Sequence, residues 1–227
     1  MNPAILIVVT SHTRLGDTGK PTGFWLEELA VPYQVFSRAG AQVDLASPKG
    51  GKAPADPRSL EKPSDEVKAF QADAAAQQKL EHTLKLSEVP LEKYDAVFVA
   101  GGHGVMWDLT RDAALAKLLG ATYARDKVVA AVCHGPAALA QVKKPNGEPL
   151  VKGLAFTGFS DEEETAMELT KIVPFLIETT LKGQGGRYER AGMWQPHVVR
   201  DGRLVTGQNP ASSRGTAEQT LAAIGAK

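Results

Sequence analysis

The sequence predicts an α/β fold with a mostly parallel central sheet and helices on both faces. Three observations predict it. Apolar runs at 4–10, 96–100 and 128–132 are continuous rather than alternating, the pattern of strands buried on both faces. Stretches of helical periodicity separate them, and strand–helix–strand alternation implies parallel pairing with right-handed crossovers. The 227 residues suffice for a substantial core, and neither an internal repeat nor a dividing linker interrupts them. Residues 1–227 are therefore expected to form a single domain.

Taken in order, Ala4 to Thr10 is the first strand, and a polar loop through Ser11, Arg14, Gly16 and Gly19 follows it. A helix opens near Phe24-Trp25-Leu26-Glu27-Glu28 and ends near Gly40, with Pro32 in an early turn or at a kink. Gln42 to Ala46 is the second strand. A Gly-, Pro- and Lys-rich loop runs to Pro63, and Ser64 to Leu84 reads as one exposed helix. This excursion, about 47–88, is expected as a flap beside the core. Ala96 to Ala100 runs into Gly101-Gly102-His103-Gly104; Asp112 to Ala124 is a helix, and Val128 to Val132 a strand. Cys133-His134-Gly135-Pro136 ends that strand abruptly, with a helix from Ala137 to Val142. A strand at 154–157, helices opening at Ser160 or Asp161 and at Pro174, an Asp201-Gly202 hairpin and a helix at 217–224 complete the chain.

Composition narrows the function. Twenty-six basic and 26 acidic residues cancel and no basic tract stands out, so the electrostatic footprint of a nucleic-acid binder is missing. The N-terminal apolar run is too short for a membrane span and lacks the features of a secretory signal. With one cysteine no internal disulfide can form, and the cytoplasm is the simplest location. The five histidines show no close metal-ligand spacing.

Cys133 is the first candidate for chemistry. A cysteine after an apolar strand is usually a small buried hydrophobe. A sharp strand-to-helix turn, however, lifts a nucleophile out of the carboxyl edge of the sheet, where open α/β folds bind ligands. A helix N-terminus aimed at the sulfur would also favour the thiolate. His134, a cap residue on its own, becomes a general acid/base candidate beside that thiol. Gly101 and Gly102 make a tight strand exit that could offer amides to a substrate oxygen; His103 is left without a role. Glu27 and Glu28 complement a helix dipole, or one of them shuttles a proton. In Ser160-Asp161-Glu162-Glu163-Glu164, Ser160 with Glu163 or Asp161 with Glu164 matches a helix capping box.

Together these segments resemble the PfpI-like, class I glutamine-amidotransferase-like superfamily. The resemblance rests on Thr22-Gly23-Phe24-Trp25-Leu26-Glu27-Glu28, Ala46-Ser47-Pro48-Lys49-Gly50-Gly51, Ala100-Gly101-Gly102-His103-Gly104 and Ala131-Val132-Cys133-His134-Gly135-Pro136. Thr157-Gly158-Phe159-Ser160-Asp161-Glu162-Glu163-Glu164 and Asn209-Pro210-Ala211-Ser212 are similar to the branch of heat-shock chaperones and glutathione-independent glyoxalase III enzymes. The resemblance implies a flavodoxin-like sandwich, usually dimeric, that acts on a small aldehyde without a cofactor. It assigns Cys133 as nucleophile, His134 as its partner, Glu28 as the carboxylate beside the sulfur, Glu164 as the acid orienting the histidine, and Gly102 as an oxyanion-hole amide. A one-place shift would exchange Glu28 with Glu27 or Glu164 with Glu163. The rival readings are a cysteine amidase or peptidase, and a stress chaperone or oxidation sensor.

Overall fold

The fold is described by a computed structural model for residues 2–225. Its centre is a seven-stranded sheet. β1 (Ala4–Val8) is followed by α1 (Leu26–Arg38) and β2 (Gln42–Ser47), and the excursion then supplies α2 (Asp65–Ala72), α3 (Ala74–Glu81) and β3 (Leu84–Lys85). β4 (Ala96–Val99), α4 (Ala113–Ala124) and β5 (Val128–Val132) lead to the elbow. Beyond it come β6 (Ala155–Phe156), α5 (Asp161–Ala166), α6 (Ile177–Gly183), β7 (Arg187–Tyr188), β8 (Val198–Asp201), β9 (Leu204–Gly207) and α7 (Ser213–Ile224).

The sheet order is β3-β2-β1-β4-β5-β9-β8. All neighbours pair in parallel except β8 and β9, which form an antiparallel hairpin. Ile5 to Val8, Val97 to Val99 and Val129 to Val132 have no exposed surface, as continuous apolar strands require. Strand order reverses about β1: β2 lies on one side, β4 and β5 on the other. A reversal of this kind opens a crevice at the carboxyl ends of the strands. Val99 pairs with Ala131, so the chain leaves β4 at Ala100-Gly101 beside the point where it leaves β5 at Cys133.

Several elements differ from the sequence expectation. The helix expected over 64–84 is two eight-residue helices. Asp73 ends the first and caps the second, its carboxylate accepting the Ala75 and Ala76 N–H groups. Leu84 belongs to the edge strand β3. Residues 135–141 form a 3₁₀ helix rather than an α-helix. The strand expected at 154–157 shrinks to β6 and pairs with β7, outside the main sheet. The hairpin turn is Gly202-Arg203, with Gly202 at φ +58°, because Asp201 still pairs with Leu204. Pro32 sits inside α1 and has no N–H to give the Glu28 carbonyl. No helix among the described residues is long and apolar enough to cross a membrane.

Candidate active site

The site is built where β4 and β5 end. Cys133 takes φ +58°, a left-handed conformation rare for a residue with a side chain. Hydrogen bonds hold it there: its N–H donates to the Gly207 carbonyl of β9 at 2.9 Å, and its carbonyl accepts the Phe159 N–H at 2.8 Å. The residue is nearly buried, and its sulfur meets both an imidazole and a carboxyl group.

The carboxyl is Glu28, fully buried on α1. Its Oε2 accepts the Gly101 N–H at 2.7 Å. Its Oε1 has no hydrogen-bond partner among the described residues, and the carboxyl lies against the Cys133 thiol. Burial pushes Glu28 up to about 8, against the hydrogen bonds from Cys133 and Gly101. Glu27 points elsewhere, half-buried beside Arg58, Lys62 and Ser64, and so separates from its neighbour.

The expected resting thiolate is not what this geometry favours. Burial and the Glu28 carboxyl push the Cys133 thiol up, and only the Gly102 N–H works in the other direction. The short 3₁₀ helix that follows the elbow supplies little of the dipole the sequence suggested. Cys133 is instead a thiol, beside a Glu28 carboxyl that keeps its own proton up to about 8.

His134 Nδ1 lies 3.3 Å from the sulfur, and its Nε2 is 2.8 Å from Glu164 Oε2. Glu164 also binds His103: Nε2 lies 2.9 Å from Oε1. The two imidazoles are 4.0 Å apart, centroid to centroid. Arg58 settles the proton positions. Its guanidinium approaches His103 Nδ1 at 3.3 Å, and a guanidinium only donates, so His103 carries its proton on Nε2 and gives it to Glu164. Burial and neighbouring His134 push His103 down to about 4 and keep it neutral. Glu164 is held well below the usual carboxylate range by the two imidazoles, although burial opposes this. As an ionised acceptor of two Nε2–H groups, it leaves the Nδ1 lone pair of His134 facing the thiol. Arg58 is in turn fixed by both oxygens of Asp56, which also accepts from Thr22.

Glu163 does something different. Its backbone and side chain close the capping box with Ser160, and its Oε1 accepts from the Trp194 N–H and Asn209 Nδ2. Capping thus falls to Glu163 and histidine pairing to Glu164. Gly102, at φ +96°, directs its amide at the sulfur. The Gly101 amide is occupied by Glu28 and is not free for a substrate oxygen. Gly101 contributes an absent Cβ, which would stand 2.5 Å from Glu28 Oε2. His103, Glu164 and His134 place three ligand atoms within 4.8 Å of one another, a set that could hold a cation. Their hydrogen bonds to one another and the Arg58 charge behind His103 oppose that use.

A cavity of about 190 Å³ opens onto Cys133, Gly102, His103 and His134, walled by Trp25, Phe159, Met167, Trp194 and Pro210. Residues 21–223 match the DJ-1/PfpI family. The chain belongs to the DJ-1/PfpI family. Glyoxalase 3 of Candida albicans is 34% identical over 97% of this chain and 98% of its own length. The glutathione-independent glyoxalase HSP31 of Saccharomyces cerevisiae is 33% identical, with 97% of each chain covered. Among solved structures, the Candida albicans glyoxalase III superposes with a TM-score of 0.91 at 33% identity, covering 97% of each chain. The Rapid Encystment Protein of Francisella tularensis gives 0.95 at 36%, covering 99% of each. The family's flavodoxin-like architecture is the one described above.

Two members of the site were not legible in the sequence. His103 stands next to the Gly101-Gly102 turn that was singled out, but its partner Glu164 is 61 residues away. Arg58 lies in a Pro- and Lys-rich loop with no periodic signal at all.

Proposed function

We propose that this protein is a glutathione-independent, glyoxalase III-type enzyme that converts methylglyoxal or a similar 2-oxoaldehyde to a 2-hydroxy acid such as lactate. The reading makes it a cysteine-dependent lyase. The observation that carries it is the Cys133 sulfur set between the His134 imidazole and a proton-holding Glu28 carboxyl, in a small apolar cavity. Relatives of about one-third identity that bear glyoxalase names support the same reading.

Sulfur adds to the aldehyde carbon as the thiol proton passes to His134 Nδ1, and ionised Glu164 stabilises the imidazolium. The carbonyl oxygen takes the Glu28 carboxyl proton and becomes the hydroxyl of a hemithioacetal, which leaves Glu28 ionised as the base for the next step, with the Gly102 amide to support the transient charge. Glu28 removes the hydrogen on that carbon as a proton and a proton returns to the neighbouring carbon, so an enediol leads to a thioester. A carboxyl poised near 8 can give and take a proton close to neutrality. Water then cleaves the C–S bond, delivering hydroxyl to the acyl carbon and hydrogen to sulfur. Side chains, backbone and water supply every step.

Cavity size favours this chemistry over amide or peptide hydrolysis. Pockets for drug-sized ligands run to ~300–1,000 Å³, against about 190 Å³ here. A homodimer in the cytoplasm completes the proposal, and sedimentation of the purified chain tests its oligomeric part. The reaction itself is tested with methylglyoxal in the absence of glutathione, following lactate. Wild type should turn over and Cys133→Ala should lose at least about 10³-fold; full turnover by the variant discards the mechanism.

A further inference from the structure

The apolar wall of the cavity is uneven. Phe159 is buried and its ring lies 4.4 Å from that of His134, so it belongs to the support of the histidine. Trp25 is fastened at the start of α1, its N–H donating to the Gly101 carbonyl at 3.1 Å. Trp194 is different. It lines the cavity and yet is 45% exposed, so its indole stands at the mouth with one side to solvent. Its ring centroid is 5.8 Å from that of Phe159.

The backbone that presents this indole is strained. Trp194 takes φ +63°, a conformation that a bulky side chain disfavours. Such a conformation persists only where the surroundings enforce it, and here they do. The Trp194 N–H donates to the buried Glu163 Oε1 at 2.9 Å. Asn209 Nδ2 donates to the same oxygen at 2.8 Å and to the Gln195 carbonyl at 2.9 Å. Gln208 Oε1 accepts the Ala191 N–H at 2.9 Å. Three buried polar side chains thus brace a five-residue stretch from which Trp194 lines the cavity. Glu163 also closes the capping box of the helix that bears Glu164, so the brace and the carboxylate that positions His134 share an anchor.

We propose that Trp194 is the specificity-determining residue of the cavity, setting the largest substituent on the 2-oxoaldehyde that can reach Cys133. The proposal rests on the glyoxalase reading for its substrate class, but not for its geometry. A methyl group fits beside the indole; a phenyl group competes with it for the same volume.

The test compares methylglyoxal with phenylglyoxal in wild type, Trp194→Ala and Trp194→Phe. Trp194→Ala should raise the phenylglyoxal-to-methylglyoxal ratio of kcat/KM about tenfold, the scale set by excess bulk in an apolar pocket. Trp194→Phe, which keeps a ring, should stay within about threefold of wild type. A second readout does not depend on turnover: the rates at which iodoacetamide and a pyrenyl maleimide alkylate Cys133. The pyrenyl-to-iodoacetamide ratio should rise in Trp194→Ala by about the same factor. Unchanged ratios in both assays overturn the proposal. If wild type turns over neither aldehyde, the glyoxalase reading falls while the alkylation ratio still decides the role of Trp194. If Trp194→Ala does not fold, the same ratios in Trp194→Leu decide it.

Discussion

Glu28 is a strongly perturbed buried carboxyl, and its cost to the fold depends on pH. Below its ordinary value of 4.5 the group is protonated in both the folded and unfolded chains and contributes nothing. Between 4.5 and about 8 the unfolded chain gives up the proton while the folded one keeps it, so stability falls with rising pH. The slope is about 1.4 kcal/mol per pH unit. Glu28→Gln should therefore be more stable than wild type at pH 8 by a margin that shrinks towards pH 5, while losing turnover. Urea denaturation at the two pH values measures this, and an equal difference at both would refute it. Cys133 and His134 were legible as residues because a thiol and an imidazole sit together at a recognisable turn, whereas only the family resemblance separated Glu28 from Glu27. The thiol's protonation was not legible, since burial and Glu28 act on it through tertiary contacts. Arg58 fixing the His103 tautomer was invisible for the same reason.

At the level of elements, the six-residue α5 is too short to stand on propensity, and its N-terminal cap carries it. Ser160 Oγ accepts the Glu163 N–H at 3.0 Å, and Glu163 Oε2 accepts the Ser160 N–H at 3.0 Å. Removing the serine hydroxyl in Ser160→Ala should cost about 1 kcal/mol, lowering Tm by roughly 2–4 °C in a chain of this length. Because Glu164 rides on the same turn, turnover should fall with it; scanning calorimetry and a lactate assay check the two together. The long buried strands β1, β4 and β5 could be read from sequence because an apolar run needs no partner to be visible. The two-residue strands β3, β6 and β7 could not, as neither two-fold nor helical periodicity shows in so few residues. The break at Asp73 carries a local signal, an Asp before Ala-Ala-Ala that suits an N-cap, but one helix is the simpler reading of that composition.

For the whole molecule, 26 basic and 26 acidic residues leave no net charge near neutrality. Little long-range repulsion then keeps copies apart, so solubility should be lowest near pH 7 and rise on either side. Precipitation by polyethylene glycol across pH 5 to 9 reads this, and a flat profile would count against it. The margins of the sheet bear on association in another way. One is β3, only two residues long, with Lys85 exposed; the other is β8, which carries an exposed Arg200 and is flanked by β6. Neither offers an incoming strand a long apolar template for growth into fibrils. Crowding at neutral pH should therefore yield amorphous, redissolvable precipitate, with the hydrogen-bonded ladder closed to recruitment from outside.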